Sequence, residues 1–103
     1  MNRIARLQEF LRQQPGDSFL QHALALEYIK LGDEAEGRRL FEAILERDPG
    51  YVGSYYHLAK LLERTGDPES AISWYEKGMV AAEKVGDKHA YNELRSALEE
   101  LTF

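Results

Sequence analysis

Apolar residues recur every three or four positions in six separate stretches of the chain. This spacing is typical of α-helices that bury one face, because about 3.6 residues complete a helical turn. In the first stretch the apolar positions are Ile4, Leu7, Phe10 and Leu11. No stretch of useful length alternates as a half-buried β-strand does. The sequence therefore predicts an all-α protein of about six helices.

Short turn signals separate these stretches. Glycine followed by aspartate marks the turns at Gly32-Asp33, Gly66-Asp67 and Gly86-Asp87. The glycine ends one helix in a left-handed conformation, and the aspartate caps the next helix. Pro15-Gly16 and Asp48-Pro49-Gly50 end the first and third helices. Because every connection is a few residues long, consecutive helices should be antiparallel neighbours.

Two helix starts have further signals. Asp17 or Ser18 is expected to cap the second helix. Glu36 follows Asp33 by three residues, which predicts a capping box in which each side chain bonds the other residue's backbone N–H.

The second to fifth helices contain one pattern twice, thirty-four residues apart. The identical pairs fall on the motif and its turn: Leu24/Leu58, Ala25/Ala59, Gly32/Gly66, Asp33/Asp67 and Glu42/Glu76. A fixed period in this range indicates a helical repeat array, in which each unit buries its apolar face against its neighbours.

The pattern resembles the tetratricopeptide repeat, which has an aromatic residue, Leu-Gly and Tyr on its first helix, then Ala, an aromatic residue and Pro on its second. The first unit here reads Gln21, Leu24-Ala25, Tyr28, Gly37, Phe41 and Pro49. The second reads Tyr55, Leu58-Ala59, Leu62, Ala71, Tyr75 and Glu83. Three positions depart from the motif: Gln21, Gly37 and Glu83. The resemblance implies a right-handed α–α superhelix of about six antiparallel helices.

The resemblance covers nearly the whole chain, so residues 1–103 are expected to form a single domain. Its parts are a half repeat at 2–15, a repeat at 18–49, a repeat at 52–85 and a capping helix at 88–101. Pro15 precedes Pro49 by thirty-four residues, so the first helix corresponds to the second half of a unit. The fifth helix is expected to be long, reaching Lys84. The alternative is an unrelated six-helix bundle whose leucines align by chance.

Composition argues against several classes of function. The chain has 13 basic and 18 acidic residues, and a net charge of −5 disfavours a nucleic-acid-binding face. It has no cysteine, so disulfides and thiolate metal sites are excluded. No apolar run approaches about 18 residues and no signal peptide is visible, so we expect no membrane span and a cytoplasmic location.

The family resemblance implies a scaffold that binds a protein or peptide segment in a concave groove lined by the first helices, without catalysis or a cofactor. The groove residues expected from the second helix are Phe19, His22, Leu26, Ile29 and Lys30. Those from the fourth are Tyr56, His57, Lys60, Glu63 and Arg64, and those from the last are His89, Asn92, Glu93 and Ser96. Apolar and aromatic side chains beside Lys30, Lys60 and Arg64 favour a partner with acidic and aromatic residues.

Other interpretations of these residues stay open. Phe19, Leu26 and Ile29 are core residues if the second helix buries them against the first and third helices. Alternatively, a second copy covers this face in a homodimer. A third hypothesis is a zinc site made by the three histidines and Glu93, although no two histidines have the i, i+4 spacing on one helix.

Two activities are disfavoured. Some members of the family bind the C-terminal carboxylate of a peptide through a Lys/Asn, Asn and Lys/Arg constellation, but the matching positions here are His22, Leu26, His57, His89 and Glu93. An enzyme is disfavoured because the paired carboxylates, Glu34/Glu36 and Glu99/Glu100, lie at helix ends or on polar faces.

Overall fold

The computed structural model describes residues 2–103, and within them it contains helices and turns but no β-strand. The six helices are α1 (Arg3–Gln13), α2 (Ser18–Lys30), α3 (Glu34–Arg47), α4 (Gly53–Arg64), α5 (Pro68–Val85) and α6 (Lys88–Thr102). The prediction of an all-α protein with six helices is confirmed.

The helices form two compact units, Met1–Asp48 (unit 1) and Pro49–Phe103 (unit 2). In unit 1, α2 packs against both α1 and α3. In unit 2, α5 packs against both α4 and α6. The middle helix of each unit, α2 or α5, therefore buries two of its sides.

The core of unit 1 lies between α2 and α3. Ala25, Phe41 and Ile44 are completely buried there. Gly37 lies so close to α2 that a Cβ atom at this position would be 2.6 Å from Ile29 Cγ1 and 3.3 Å from the Ala25 carbonyl oxygen. Gly37 departs from the alanine of the motif because Ile29 occupies the space that a methyl group would need.

In the core of unit 2, two helices also approach closely at a glycine, but this glycine is not at the motif position of Gly37. Leu58, Leu62 and Tyr75 are completely buried. A Cβ atom at Gly78 of α5 would be 2.7 Å from Tyr55 Cβ of α4 and 3.0 Å from a methyl carbon of Leu94 of α6. Gly78 thus allows α5 to pack closely against both of its neighbours.

The turns after α2, α4 and α5 share one hydrogen-bonding scheme. Gly32, Gly66 and Gly86 have positive φ angles of 87°, 87° and 74°. The following aspartates each accept a bond from a backbone N–H three residues on, at 3.0–3.2 Å. Glycine is required because a side chain is disfavoured in the left-handed conformation.

The capping box predicted at α3 is only half formed. Asp33 Oδ1 accepts from the backbone N–H of Glu36 at 3.2 Å, and Asp17 caps α2 in the same way. The Glu36 carboxylate pairs with Arg39 instead of reaching back. The Asp33 N–H donates to the Tyr28 carbonyl at 2.9 Å, so it has no need of the Glu36 side chain. The reciprocal half of the prediction was wrong.

Equivalent side chains of the two units bond equivalent carbonyl oxygens. Gln21 Nε2 donates to the Pro15 carbonyl at 3.2 Å. Thirty-four residues later, the Tyr55 hydroxyl donates to the Pro49 carbonyl at 2.7 Å. Gln21 also accepts a bond from Arg47 Nη2 at 2.8 Å. Gln21 therefore keeps the polar contact made by the aromatic residue at this motif position, and adds a second one.

The length of α5 agrees with the sequence prediction, whereas the exposure of Phe10 does not. α5 has 18 residues and passes through Glu83 to Val85, as expected where the motif's proline is missing. The apolar spacing predicts that Phe10 lies on the buried face of the first helix, but 49% of its surface is exposed. Within unit 1, α1 packs mainly against α2, and Leu7 is its buried residue.

The close approach at Gly78 gives a stability prediction. Gly78→Ala should lower the free energy of unfolding by about 1–3 kcal/mol, because the new methyl group overlaps Tyr55 and Leu94. The matched control is Gly53→Ala at the start of α4, where no atom lies within 4 Å of the added Cβ. Chemical denaturation should show the control to be neutral or slightly stabilising, and equal behaviour of the two variants would contradict the packing described.

Candidate functional site

The predicted groove residues of unit 1 lie on α2 in different environments. Phe19 is 67% exposed, and Lys30 is exposed and lies 3.5 Å from the Glu27 carboxylate. Leu26 is half-buried. The His22 ring, also half-buried, meets Phe41 edge-on, with centroids 5.3 Å apart. Ile29 contacts Gly37 in the α2–α3 packing.

In unit 2, five side chains of α4 are adjacent in sequence or about one helical turn apart. We call them the α4 face: Tyr56, His57, Lys60, Glu63 and Arg64. Tyr56 is at its centre and is half-buried. The rings of His57 and Tyr75 meet it at steep angles, with centroids 5.8 Å and 6.4 Å away. Lys60 Nζ lies 5.7 Å from the centroid of the Tyr56 ring. Tyr56 is therefore held in place by rings and a cation rather than left to rotate freely.

Glu63 connects this face to the core. The hydroxyl of the completely buried Tyr75 donates a hydrogen bond to the Glu63 carboxylate. Burial raises the pKa of Tyr75 well above its ordinary value, and the bond to Glu63 raises it further. Lys60 Nζ lies 3.6 Å from the same carboxylate. The positive charge of Lys60 is therefore partly offset by the Glu63 carboxylate.

The α6 residues predicted for the groove, His89, Asn92 and Glu93, are all exposed. Glu93 acts electrostatically on His57 across the space between α6 and α4. Burial lowers the pKa of His57, and the nearby Glu93 carboxylate partly opposes that shift. Glu93 of α6 is therefore near enough to α4 to influence the protonation of His57.

Two participants were missed at this site by sequence reasoning. The motif accounts for Tyr75 only as the aromatic residue of the second helix, and it gives no role to Glu100 of α6, which acts electrostatically on Tyr75. The available signal was the phenol group itself, because a buried tyrosine hydroxyl usually requires a hydrogen-bond partner.

The zinc hypothesis lacks a ligand cluster. Among residues 2–103, no group of three or more His, Cys, Asp or Glu side chains is arranged to hold a metal ion. A search of the same residues also found no helix with the length and apolar character needed to cross a membrane.

Comparison with known families and curated proteins gives a consistent result. A family model described as tetratricopeptide repeat matches residues 22–84. The human protein named interferon-induced protein with tetratricopeptide repeats 2 is 32% identical over 82 residues, which is 76% of this chain and 17% of that protein. A mouse protein, interferon-induced protein with tetratricopeptide repeats 3, is 26% identical and matched over 19% of its length. This chain therefore spans less than a fifth of these curated relatives.

Solved structures match over more of their length. The crystal structure of a tetratricopeptide repeat domain protein from Salinibacter ruber has a TM-score of 0.79 and 38% identity, covering 84% of this chain and 96% of that one. The solution structure of a Bordetella parapertussis protein has a TM-score of 0.83 and 27% identity, covering 99% and 89%.

The electrostatic influence of Glu93 on His57 gives a prediction about pH. Glu93→Gln should lower the pKa of His57 further, because it removes the carboxylate that favours the imidazolium. The folded state binds the proton of the His57 imidazolium less tightly than the unfolded chain does. The stability of the fold should therefore decrease as pH drops below about 6.5. NMR titration of the imidazole protons tests this. An unchanged His57 titration in Glu93→Gln would contradict this electrostatic influence, and Glu99→Gln is the control.

The buried phenol gives a prediction at high pH. The folded protein keeps the Tyr75 proton more tightly than the unfolded chain, so stability should decrease as pH rises above about 10. Tyr75→Phe should cost roughly 1–3 kcal/mol at pH 7, where the hydrogen bond is intact. That deficit should shrink towards pH 11, as measured by urea denaturation. A deficit that is the same at both pH values would count against the Tyr75–Glu63 bond.

Proposed function

This chain belongs to the tetratricopeptide repeat family, whose members are protein-interaction scaffolds, and from that premise we propose that it binds a peptide segment on the α4 face. The proposed role is recognition without catalysis. Glu93 of α6 acts electrostatically on His57, and we propose that Glu93 and its neighbour Asn92 border the bound segment. The exposed side of α2, with Phe19 and Lys30, is a separate candidate surface in unit 1.

The observation that carries this proposal is the placement of Tyr56. A half-buried aromatic ring that is fixed by Tyr75 and His57 offers contact area without losing much side-chain freedom on binding. It also stands on a helix, which positions it more rigidly than a loop would. Such rings are frequent among the residues that contribute most to protein–protein affinity.

The charges beside Tyr56 indicate what kind of segment would fit. Arg64 is exposed at the end of α4, and Lys60 lies over the Tyr56 ring. An aromatic side chain of the partner would pack on Tyr56, and an acidic side chain would pair with Arg64 or compete with Glu63 for Lys60. We propose a partner segment that carries both.

The experiment is a selection from a random peptide library on the intact 103-residue chain, followed by calorimetry with the selected peptides. The peptides should be enriched in aromatic and acidic residues. Tyr56→Ala should weaken their binding by about tenfold or more, because a central aromatic contact is worth more than about 1 kcal/mol. Lys60→Glu should weaken it too, and more strongly at low salt.

Lys77→Glu is the matched control. Lys77 lies 4.5 Å from the Trp74 ring on α5, so the same change of charge is made beside another aromatic residue outside the α4 face. Its affinity for the peptides should equal that of the wild type. Amidation of the peptide C-terminus should also leave affinity unchanged. Peptides that bind Tyr56→Ala and Lys60→Glu as tightly as the wild type would refute the proposal.

A further inference from the structure

α1 has an uncovered side that its repeat equivalent does not have. Phe10 is 49% exposed, whereas Ile44, which lies thirty-four residues later in α3, is completely buried. A shallow depression of about 370 Å³ runs beside it and is lined by Arg3, Arg6, Leu7 and Phe10. We call these four residues the α1 outer face. It combines one protruding aromatic ring with two arginines.

At the other end of the sequence, α5 and α6 form an exposed groove. One part, of about 200 Å³, has apolar walls made by Met79, Val80, Tyr91 and Leu98, with Glu76 and Glu83 at its rim. An adjoining depression of about 220 Å³ shares Glu83 and Tyr91. Val80 is 53% exposed. We call the first part the α5–α6 groove.

We propose that the α1 outer face of one copy of this chain docks in the α5–α6 groove of a second copy. Phe10 would fill the apolar groove, and Arg6 would face the acidic rim. The two surfaces therefore have complementary charge as well as shared apolar character. Arg95 of α6 does not oppose this pairing strongly, because its guanidinium lies 3.7 Å from Glu99.

The repeat register supports the same pairing. α1 corresponds to the second helix of a repeat unit, and α6 corresponds to the first. Their contact would therefore place the second helix of a unit beside a first helix. That is the combination already present in α2–α3 and α4–α5. The docked pair would be a hairpin assembled from two chains.

This contact differs from a two-fold dimer in a testable way. It joins two different surfaces, so each copy keeps one free α1 outer face or one free groove after pairing. Such heterologous contacts either propagate or close a ring, whereas a two-fold interface uses the same surface from both copies and stops at two.

Sedimentation velocity over a concentration series tests the proposal. The wild type should self-associate, more strongly at low salt, since the pairing joins opposite charges. Phe10→Glu and Val80→Glu should each weaken association by about tenfold or more, because each places a carboxylate in an apolar, acidic contact. The controls, Phe103→Glu and Val85→Glu, change the same two residue types at exposed positions outside both surfaces and should associate as the wild type does.

Mixing the two variants provides the sharpest result. Phe10→Glu retains an intact groove and Val80→Glu retains an intact α1 outer face, so an equimolar mixture should form a 1:1 heterodimer and nothing larger. A wild type that remains monomeric up to about 1 mM would overturn the proposal. So would a mixture in which the variants fail to pair while the wild type associates. Both variants should bind the selected peptides normally, which separates this inference from the proposed function.

Discussion

The close approach of neighbouring helices is the constraint on which the rest of the structure depends. In unit 1 the Cγ1 atom of Ile29 occupies the space in which a Cβ of residue 37 would lie, and in unit 2 the Tyr55 Cβ does the same at residue 78. Because these two positions are glycines, the backbone of one helix can pack directly against a side chain of its neighbour. The complete burial of Phe41, Ile44 and Leu58 follows, because close helices leave no room for water between them.

This packing determines which side chains remain for recognition. α4 uses Leu58, Leu61 and Leu62 for the core, so Tyr56 and Lys60 are presented on its other side. The Tyr75 hydroxyl extends from the core to Glu63 on that side. A change in core packing would therefore alter the position of Glu63 and, with it, the charge available at Lys60.

The sequence predicted most of the fold and part of the candidate site. The Gly-Asp turns gave the helix ends because the left-handed glycine and the aspartate cap depend on neighbouring residues only. The exposure of Phe10, the pairing of Lys60 with Glu63 and the fit of Ile29 against Gly37 depend on which helices meet and at what distance. Local patterns do not contain that information. The Glu36 prediction failed for the same reason: Arg39 and the Tyr28 carbonyl satisfied the groups that the capping box would have joined.

Nuclear Overhauser effects measured on the intact chain would show whether the helices of each unit meet at Gly37 and Gly78. We expect strong cross-peaks between the Ile29 methyl protons and the Gly37 Hα protons, and between the Tyr55 Hβ protons and the Gly78 Hα protons. Absence of both sets, in a spectrum where other core contacts are seen, would mean that the helices do not approach each other in this way.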